Sequence, residues 1–151
     1  MGAERLIVKH MPAVKSAMTP FPYSIEPGAP VSEALAFMRE YRVRHLPVAH
    51  NRQIVGLITD RDIKLVLGPE FAYPDKDKLR VEEAMLTSTY TVDLNMPMDV
   101  VLEEMASTHI GSAIVTRKGE LAGVFTCTDA CREFARFLRE KFPQPGGDEA
   151  A

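Results

Sequence analysis

Two seven-residue stretches carry the residues best placed to do chemistry. They are Gly56-Leu57-Ile58-Thr59-Asp60-Arg61-Asp62 and, 67 residues later, Gly123-Val124-Phe125-Thr126-Cys127-Thr128-Asp129. Both read Gly-apolar-apolar-Thr-x-x-Asp. In each, an apolar run suited to a buried strand meets a Thr that can cap a helix, and an Asp follows inside the first helical turn. The junction sets a carboxylate beside free backbone N–H groups. A carboxylate accepts two hydrogen bonds from a vicinal diol, and N–H groups at a helix start attract phosphate, so a ribose phosphate would satisfy both. Thr-x-x-Asp also resembles a capping box, in which the two side chains satisfy the helix's own N–H groups, a role worth about 1 kcal/mol. Spacing alone leaves both roles open.

The elements that must position these stretches belong to a longer duplication. At the same offset of 67, without gaps, stand Val14/Val81, Ala17/Ala84, Met18/Met85, Tyr23/Tyr90, Pro30/Pro97, Leu35/Leu102, Met38/Met105 and Val48/Val115. Such a register held along the chain marks an internal repeat. In the first copy Tyr23-Ser24-Ile25 reads as a short extended piece and Pro27-Gly28 as a turn. Pro30 opens a helix with Val31, Ala34, Leu35, Met38 and Tyr41 on its apolar face. Residues 45–49 and 53–59 read as strands around a polar turn at His50-Asn51-Arg52, and a second helix starts near Asp60. The second copy repeats the order, with Met98, Val101, Leu102 and Met105 on its first helix and Lys118-Gly119-Glu120 as its turn.

The predicted fold class is therefore α+β, built from two βαββα repeats. The divisions are an N-terminal arm over 1–13, repeat one over 14–67, a Pro- and charge-rich linker over 68–80, repeat two over 81–142 and a disordered tail over 143–151. A unit of about fifty residues struggles to cover its own sheet, which predicts that the two pack face to face about a pseudo-twofold axis.

Composition narrows the function. A chain of 151 residues with 46% hydrophobic and 26% charged residues reads as globular. Its net charge of −3 and pI near 5.8 argue against nucleic acid as a partner. No run is long enough to span a bilayer or to serve as a signal peptide, so the expected setting is the cytoplasm, away from membranes. Cys127 and Cys131, four residues apart, suit neither a disulfide framework nor a zinc site and read as reduced thiols. The four histidines show no metal-ligand spacing, and no catalytic triad, Walker loop or dinucleotide-binding glycine pattern occurs. An enzyme is not expected, nor a metal or cofactor. The last helix, running from Ala130 through Phe134, Phe137, Leu138 and Phe142 to a stop at Pro143, is unmatched in repeat one. Its wide apolar face either packs on another subunit or covers its own domain's core.

The βαββα order, the duplication, the segments Tyr41-Arg42-Val43-Arg44-His45-Leu46-Pro47-Val48 and His109-Ile110-Gly111-Ser112-Ala113-Ile114-Val115, and the twin Gly-x-x-Thr-x-x-Asp endings together closely resemble a tandem pair of CBS (cystathionine β-synthase) domains, also called a Bateman module. The resemblance covers roughly Val14 to Arg136. It implies clefts between the repeats that bind an adenine nucleotide such as AMP, ADP or ATP, or S-adenosylmethionine. It also implies that Asp62 and Asp129 hold ribose hydroxyls with Thr59 and Thr126 near the sugar or phosphate, and that the module forms a homodimer signalling to an unidentified partner protein. The expected function is a stand-alone regulatory module; the alternative is a ligand-free dimerisation scaffold.

Local charge separates the two sites. Residues 14–66 carry seven Lys and Arg against five acids, net +2, whereas residues 81–133 carry three against nine, net −6. Arg61 lies in the first motif, and Arg44 and His45 precede its strand; Arg suits phosphate oxygens through its forked donors. The matching positions in repeat two are Thr128, Gly111 and Ser112. The expectation is one stronger site at Asp62. At Asp129 the site holds an uncharged nucleoside, borrows charge across the cleft, or stays empty.

Overall fold

The computed structural model describes residues 9–68 and 75–145. The first eight residues of the expected arm, the middle of the expected linker and the Gly146–Ala151 tail lie outside the described residues. A single 3-10 turn, Val14–Ser16, leads into β1 (Thr19–Pro20), α1 (Val31–Tyr41), β2 (His45–His50), β3 (Gln53–Thr59) and α2 (Asp60–Leu67). The second half follows with α3 (Val81–Ala84), β4 (Thr91–Asp93), α4 (Met98–Thr108), β5 (Ser112–Arg117), β6 (Glu120–Thr126) and α5 (Cys127–Lys141). The mixed α+β architecture and its two repeats are those the sequence predicts.

The strands divide into a sheet of order β1-β6-β5-β4 and a β2-β3 hairpin, with antiparallel hairpins β2-β3 and β5-β6 bulged at equivalent places, Val48/Ala49 and Val115/Thr116. The halves differ because of one proline. In repeat two the Ile114 N–H donates to the Tyr90 carbonyl at 2.8 Å and β4 pairs with β5 over three residues. The equivalent of Ile114 is Pro47, which has no N–H to give, so the Tyr23–Ile25 segment touches β2 through a single bridge, Ile25 to Val48.

Each half lends its leading segment to the other. Val14 lies in the core of repeat two with Val92, Val101, Val115 and Phe125, and its equivalent Val81 lies in the core of repeat one with Val31, Leu46, Ile58 and Ile63. The backbone repeats the exchange: β1 pairs with β6 through Thr19 and Val124, and Leu86 pairs with Leu57 of β3. Ala13 bridges Pro97, and Pro30 bridges Arg80. All three pairings are reciprocal under the 67-residue shift, which is the pseudo-twofold relation expressed as contacts. Sequence periodicity locates the copies but carries no sign of this exchange, since a repeat reads the same whichever partner its first turn packs on.

The crossing segments also account for the glycine that heads each motif. A Cβ on Gly56 would lie 2.7 Å from the Leu86 carbonyl oxygen and 2.8 Å from the Met85 sulfur, and one on Gly123 would lie 2.5 Å from the Thr19 carbonyl oxygen. Only a residue without a side chain lets the borrowed strand close over the sheet.

Two packing expectations change. Tyr41 and Leu102, read as core positions, are 41% and 36% exposed. Tyr41 instead stacks on Phe37 at 4.6 Å between ring centroids, in a surface cluster with Tyr23 and Phe21. The final helix begins at Cys127 with Thr126 as its N-cap, where the motif places it.

Candidate functional site

The packing of the two halves leaves two clefts, each fronted by one motif. The first, about 430 Å³, is lined by all five residues predicted for repeat one, Arg44, His45, Thr59, Arg61 and Asp62, together with Leu57, Leu86, Ser88, Thr89, Tyr90, His109, Ile110 and Ile114. The second, about 390 Å³, holds Thr126, Thr128 and Asp129 with Thr19, Phe21, Arg42, Val43 and Arg132. Arg44 and His45 line this one too. The reading that the Asp129 site lacks cationic partners is corrected by Arg132 of α5, while Arg42, Arg44 and His45 of repeat one line the cleft, in keeping with the alternative of charge borrowed across it. The interface between the halves brings Arg44 and His45 to both clefts, which a count within matched sequence windows cannot register.

The backbone that fixes Arg44 is the same in both halves. The Asp60 N–H donates to the Arg44 carbonyl at 3.0 Å, as the Cys127 N–H does to that of Gly111 at 3.0 Å. The first N–H of each following helix thus anchors the residue that leads into the strand, so Arg44 stands beside the α2 N-terminus, where the helix dipole and free N–H groups favour an anion. Arg42 and His109, the left-handed C-caps of α1 and α4 at φ 55° and 58°, occupy equivalent positions on the two cleft rims. Non-glycine residues bear a strain of about 1 kcal/mol there.

The two carboxylates differ in what they have left to offer. Asp129 is 4% exposed. Its Oδ2 accepts from the Thr126 N–H at 2.9 Å and from the Thr126 hydroxyl at 3.0 Å, while Oδ1 accepts from the Thr19 hydroxyl at 3.2 Å and from Arg132 at 3.3 Å. Thr126 and Asp129 thus form the closed capping box, and four bonds occupy the carboxylate's roughly four acceptor positions. At Asp62, Thr59 caps α2 by accepting from the Asp62 N–H at 3.1 Å, and its hydroxyl donates to Oδ2 at 2.6 Å. Among the described residues nothing donates to Oδ1. Asp62 is partly exposed in the first cleft, with a free carboxylate oxygen available to a diol.

His45 lies within electrostatic reach of both acids. Its half-buried position holds its pKa below the ordinary 6.5, against the pull of Asp129 and Asp62 and with a smaller push in the same direction from Arg44. Burial thus favours its neutral form, and an incoming anion would favour the charged one.

The family model for the CBS domain matches residues 14–68 and 81–136, one stretch for each half. The chain is a CBS domain protein. Inosine-5'-monophosphate dehydrogenase of Aquifex aeolicus is 24% identical over 140 residues, 89% of this chain but only 26% of that enzyme. This CBS pair therefore spans about a quarter of the length of the dehydrogenases it matches, whereas it covers 83% of the CBS domain-containing protein YhcV of Bacillus subtilis, at 27% identity. Among solved structures it resembles the CBS domain of a bacterial CNNM/CorC family Mg2+ transporter in complex with ATP (28% identity, TM-score 0.67, 82% of this chain and 87% of that one). It also resembles the CBS domain pair of protein MJ0100 in complex with 5-methylthioadenosine and S-adenosyl-L-methionine (25% identity, TM-score 0.69, 82% and 99%).

Leu86, Tyr90, Ile110 and Ile114 in the first cleft, and Thr19, Phe21, Arg42 and Arg132 in the second, were not singled out from sequence. Except for Arg132, three residues past Asp129, they lie outside the motif of the cleft they line and reach it only through the packing of the halves. One signal was present: Thr19 and Leu86 stand at the 67-residue offset, so a strand-exchange hypothesis would have found them together.

Proposed function

We propose that this CBS pair is a regulatory binding module for an adenosine-containing ligand, held chiefly in the Asp62 cleft. The observation that carries the proposal is the Asp62 Oδ1, without a donor among the described residues, on a carboxylate that lines a pocket with Leu57, Leu86, Ile110 and Ile114 and with Arg44 and Arg61. The diol of a ribose donates to Asp62. Leu57, Leu86, Ile110 and Ile114 offer a slot for a flat base. Arg44 and Arg61, with His45 recharged, meet phosphate beside the α2 N-terminus. The complexes of the two related CBS structures with ATP, 5-methylthioadenosine and S-adenosyl-L-methionine support the ligand class.

Both clefts lie between the halves, so a ligand that fits one arrangement of the repeats better than another shifts the population and can be read by a partner. The homodimer that would transmit such a shift draws support from α5. There Phe134, Phe137, Leu138 and Phe142 form one exposed stripe, 39–66% accessible. The ligand-free scaffold reading rests on the same stripe and on the saturated Asp129.

Thermal denaturation with AMP, ADP, ATP, 5-methylthioadenosine and S-adenosylmethionine separates the two. A true ligand at 100 times its dissociation constant adds about 2.7 kcal/mol. A flat response to every member of the panel would leave only the scaffold.

A further inference from the structure

A third concavity, about 540 Å³, lies between the C-terminal half of α1 and the start of α2, lined by Arg39, Arg42, Arg44 and Lys76 with Leu35 and Met38. Asp60 is the acid that lines it, and Asp60 is already paired with Lys64 at 2.7 Å. Among the described residues none of the four cations has an ion-pair partner. Lys76 is held in place by backbone, since its carbonyl accepts from the Ser32 N–H at 3.0 Å and so ties the segment before α3 to the start of α1.

A chain of net charge −3 thus gathers four unneutralised cations in one groove. The duplication supplies an internal control. At the equivalent positions of repeat two stand Ala106 for Arg39, His109 for Arg42 and Gly111 for Arg44. The fold does not require these charges.

The groove shares Arg42, Val43 and Arg44 with the Asp129 cleft, and Arg44 and Asp60 with the Asp62 cleft. Arg42 and Arg44 line a cleft as well as the groove, whereas Arg39 and Lys76 line the groove alone, and four like charges along one groove suit an anion whose charges are spaced along a chain. We propose that this groove binds a linear polyphosphate, either free or as the tail of a nucleotide seated in an adjoining cleft. The nucleotide-tail form rests on the function proposed above; the free form does not.

Calorimetric titration with inorganic tripolyphosphate, AMP and ATP tests it on the full chain. Tripolyphosphate alone binds saturably, and more weakly as salt rises. Replacing the two exposed cations farthest from the clefts, Arg39→Ala with Lys76→Ala, weakens it about tenfold or more while AMP binding is unchanged. The charge-preserving pair Arg39→Lys with Lys76→Arg restores it. If ATP affinity falls together with that of tripolyphosphate in the alanine pair, the groove takes a nucleotide tail; if ATP is unaffected, the groove takes free polyphosphate. No saturable tripolyphosphate binding, or binding indifferent to the alanine pair, overturns the proposal. Tripolyphosphate binding without any nucleotide binding leaves the groove standing and removes the cleft reading instead.

Discussion

Thr19 and Leu86 occupy equivalent places over the two motifs, 67 residues apart, and only Thr19 has a proton to donate: its hydroxyl reaches Asp129 Oδ1 at 3.2 Å. Likewise, the position of Arg132, which also bonds Asp129, is filled beside Asp62 by Leu65. Two apolar substitutions between the copies therefore leave Asp62 with an open oxygen. Replacing Leu86→Thr supplies the missing donor and is expected to lower nucleoside affinity about tenfold, the effect of about one competing hydrogen bond. Thr19→Val does the converse, costing about 1 kcal/mol of stability in urea denaturation because a buried carboxylate loses a donor.

Glycine at 123 is required by backbone, not by ligand. Gly123→Ala forces apart β6 and the Thr19 carbonyl, 2.5 Å from the new methyl group, and is expected to cost about 3 kcal/mol. Gly56→Ala costs less where the flexible Met85 side chain can yield, but the Leu86 carbonyl at 2.7 Å still resists. Denaturant midpoints with unchanged slopes would read out both losses.

His45 makes stability depend on pH with a definite sign. Burial depresses its folded pKa below 6.5, so the unfolded chain takes up a proton that the folded chain refuses. This part of the stability is complete above pH 6.5, declines as pH falls through 6.5, and levels off below the folded pKa. His45→Gln should flatten that segment of the stability curve. A phosphate in either cleft favours the imidazolium, so affinity for AMP should rise over the same fall in pH, while that for adenosine stays level.

The α5 stripe predicts an oligomer. Phe134 and Phe137 are 61% and 54% exposed, so Phe134→Ser with Phe137→Ser removes little from the core of one chain. Light scattering should report a dimer for the parent and a monomer for the variant, at similar unfolding free energies extrapolated to the monomer. A parent that is monomeric at high concentration would contradict the dimer.

Much of the fold was legible because duplication amplified weak signals. Pro30 and Pro97 mark the starts of α1 and α4, and Thr59 and Thr126 mark the junctions into α2 and α5, twice each in register. The candidate site was legible only in part. The motif places Thr59 and Asp62 side by side because their interaction is local, three residues along one helix start. It cannot show that Asp129 is consumed by Thr19, 110 residues away, or that Arg44 faces both clefts. Those facts belong to the strand exchange and to the packing of the halves, which local periodicity does not encode. Tyr41 misled for a related reason: helical spacing identifies a face, but the aromatic cluster at the edge of repeat one stays partly in water.

The proposed function requires that Asp62 grip a ligand while Asp129 tidies a helix. Calorimetric titration of the wild type, Asp62→Ala and Asp129→Ala with AMP, alongside their unfolding free energies, tests it most directly. Asp62→Ala is expected to abolish measurable AMP binding with a stability loss near 1 kcal/mol or less, whereas Asp129→Ala loses about 3 kcal/mol of stability and, where folded, still binds AMP. Binding that survives in Asp62→Ala and disappears in a folded Asp129→Ala would contradict it.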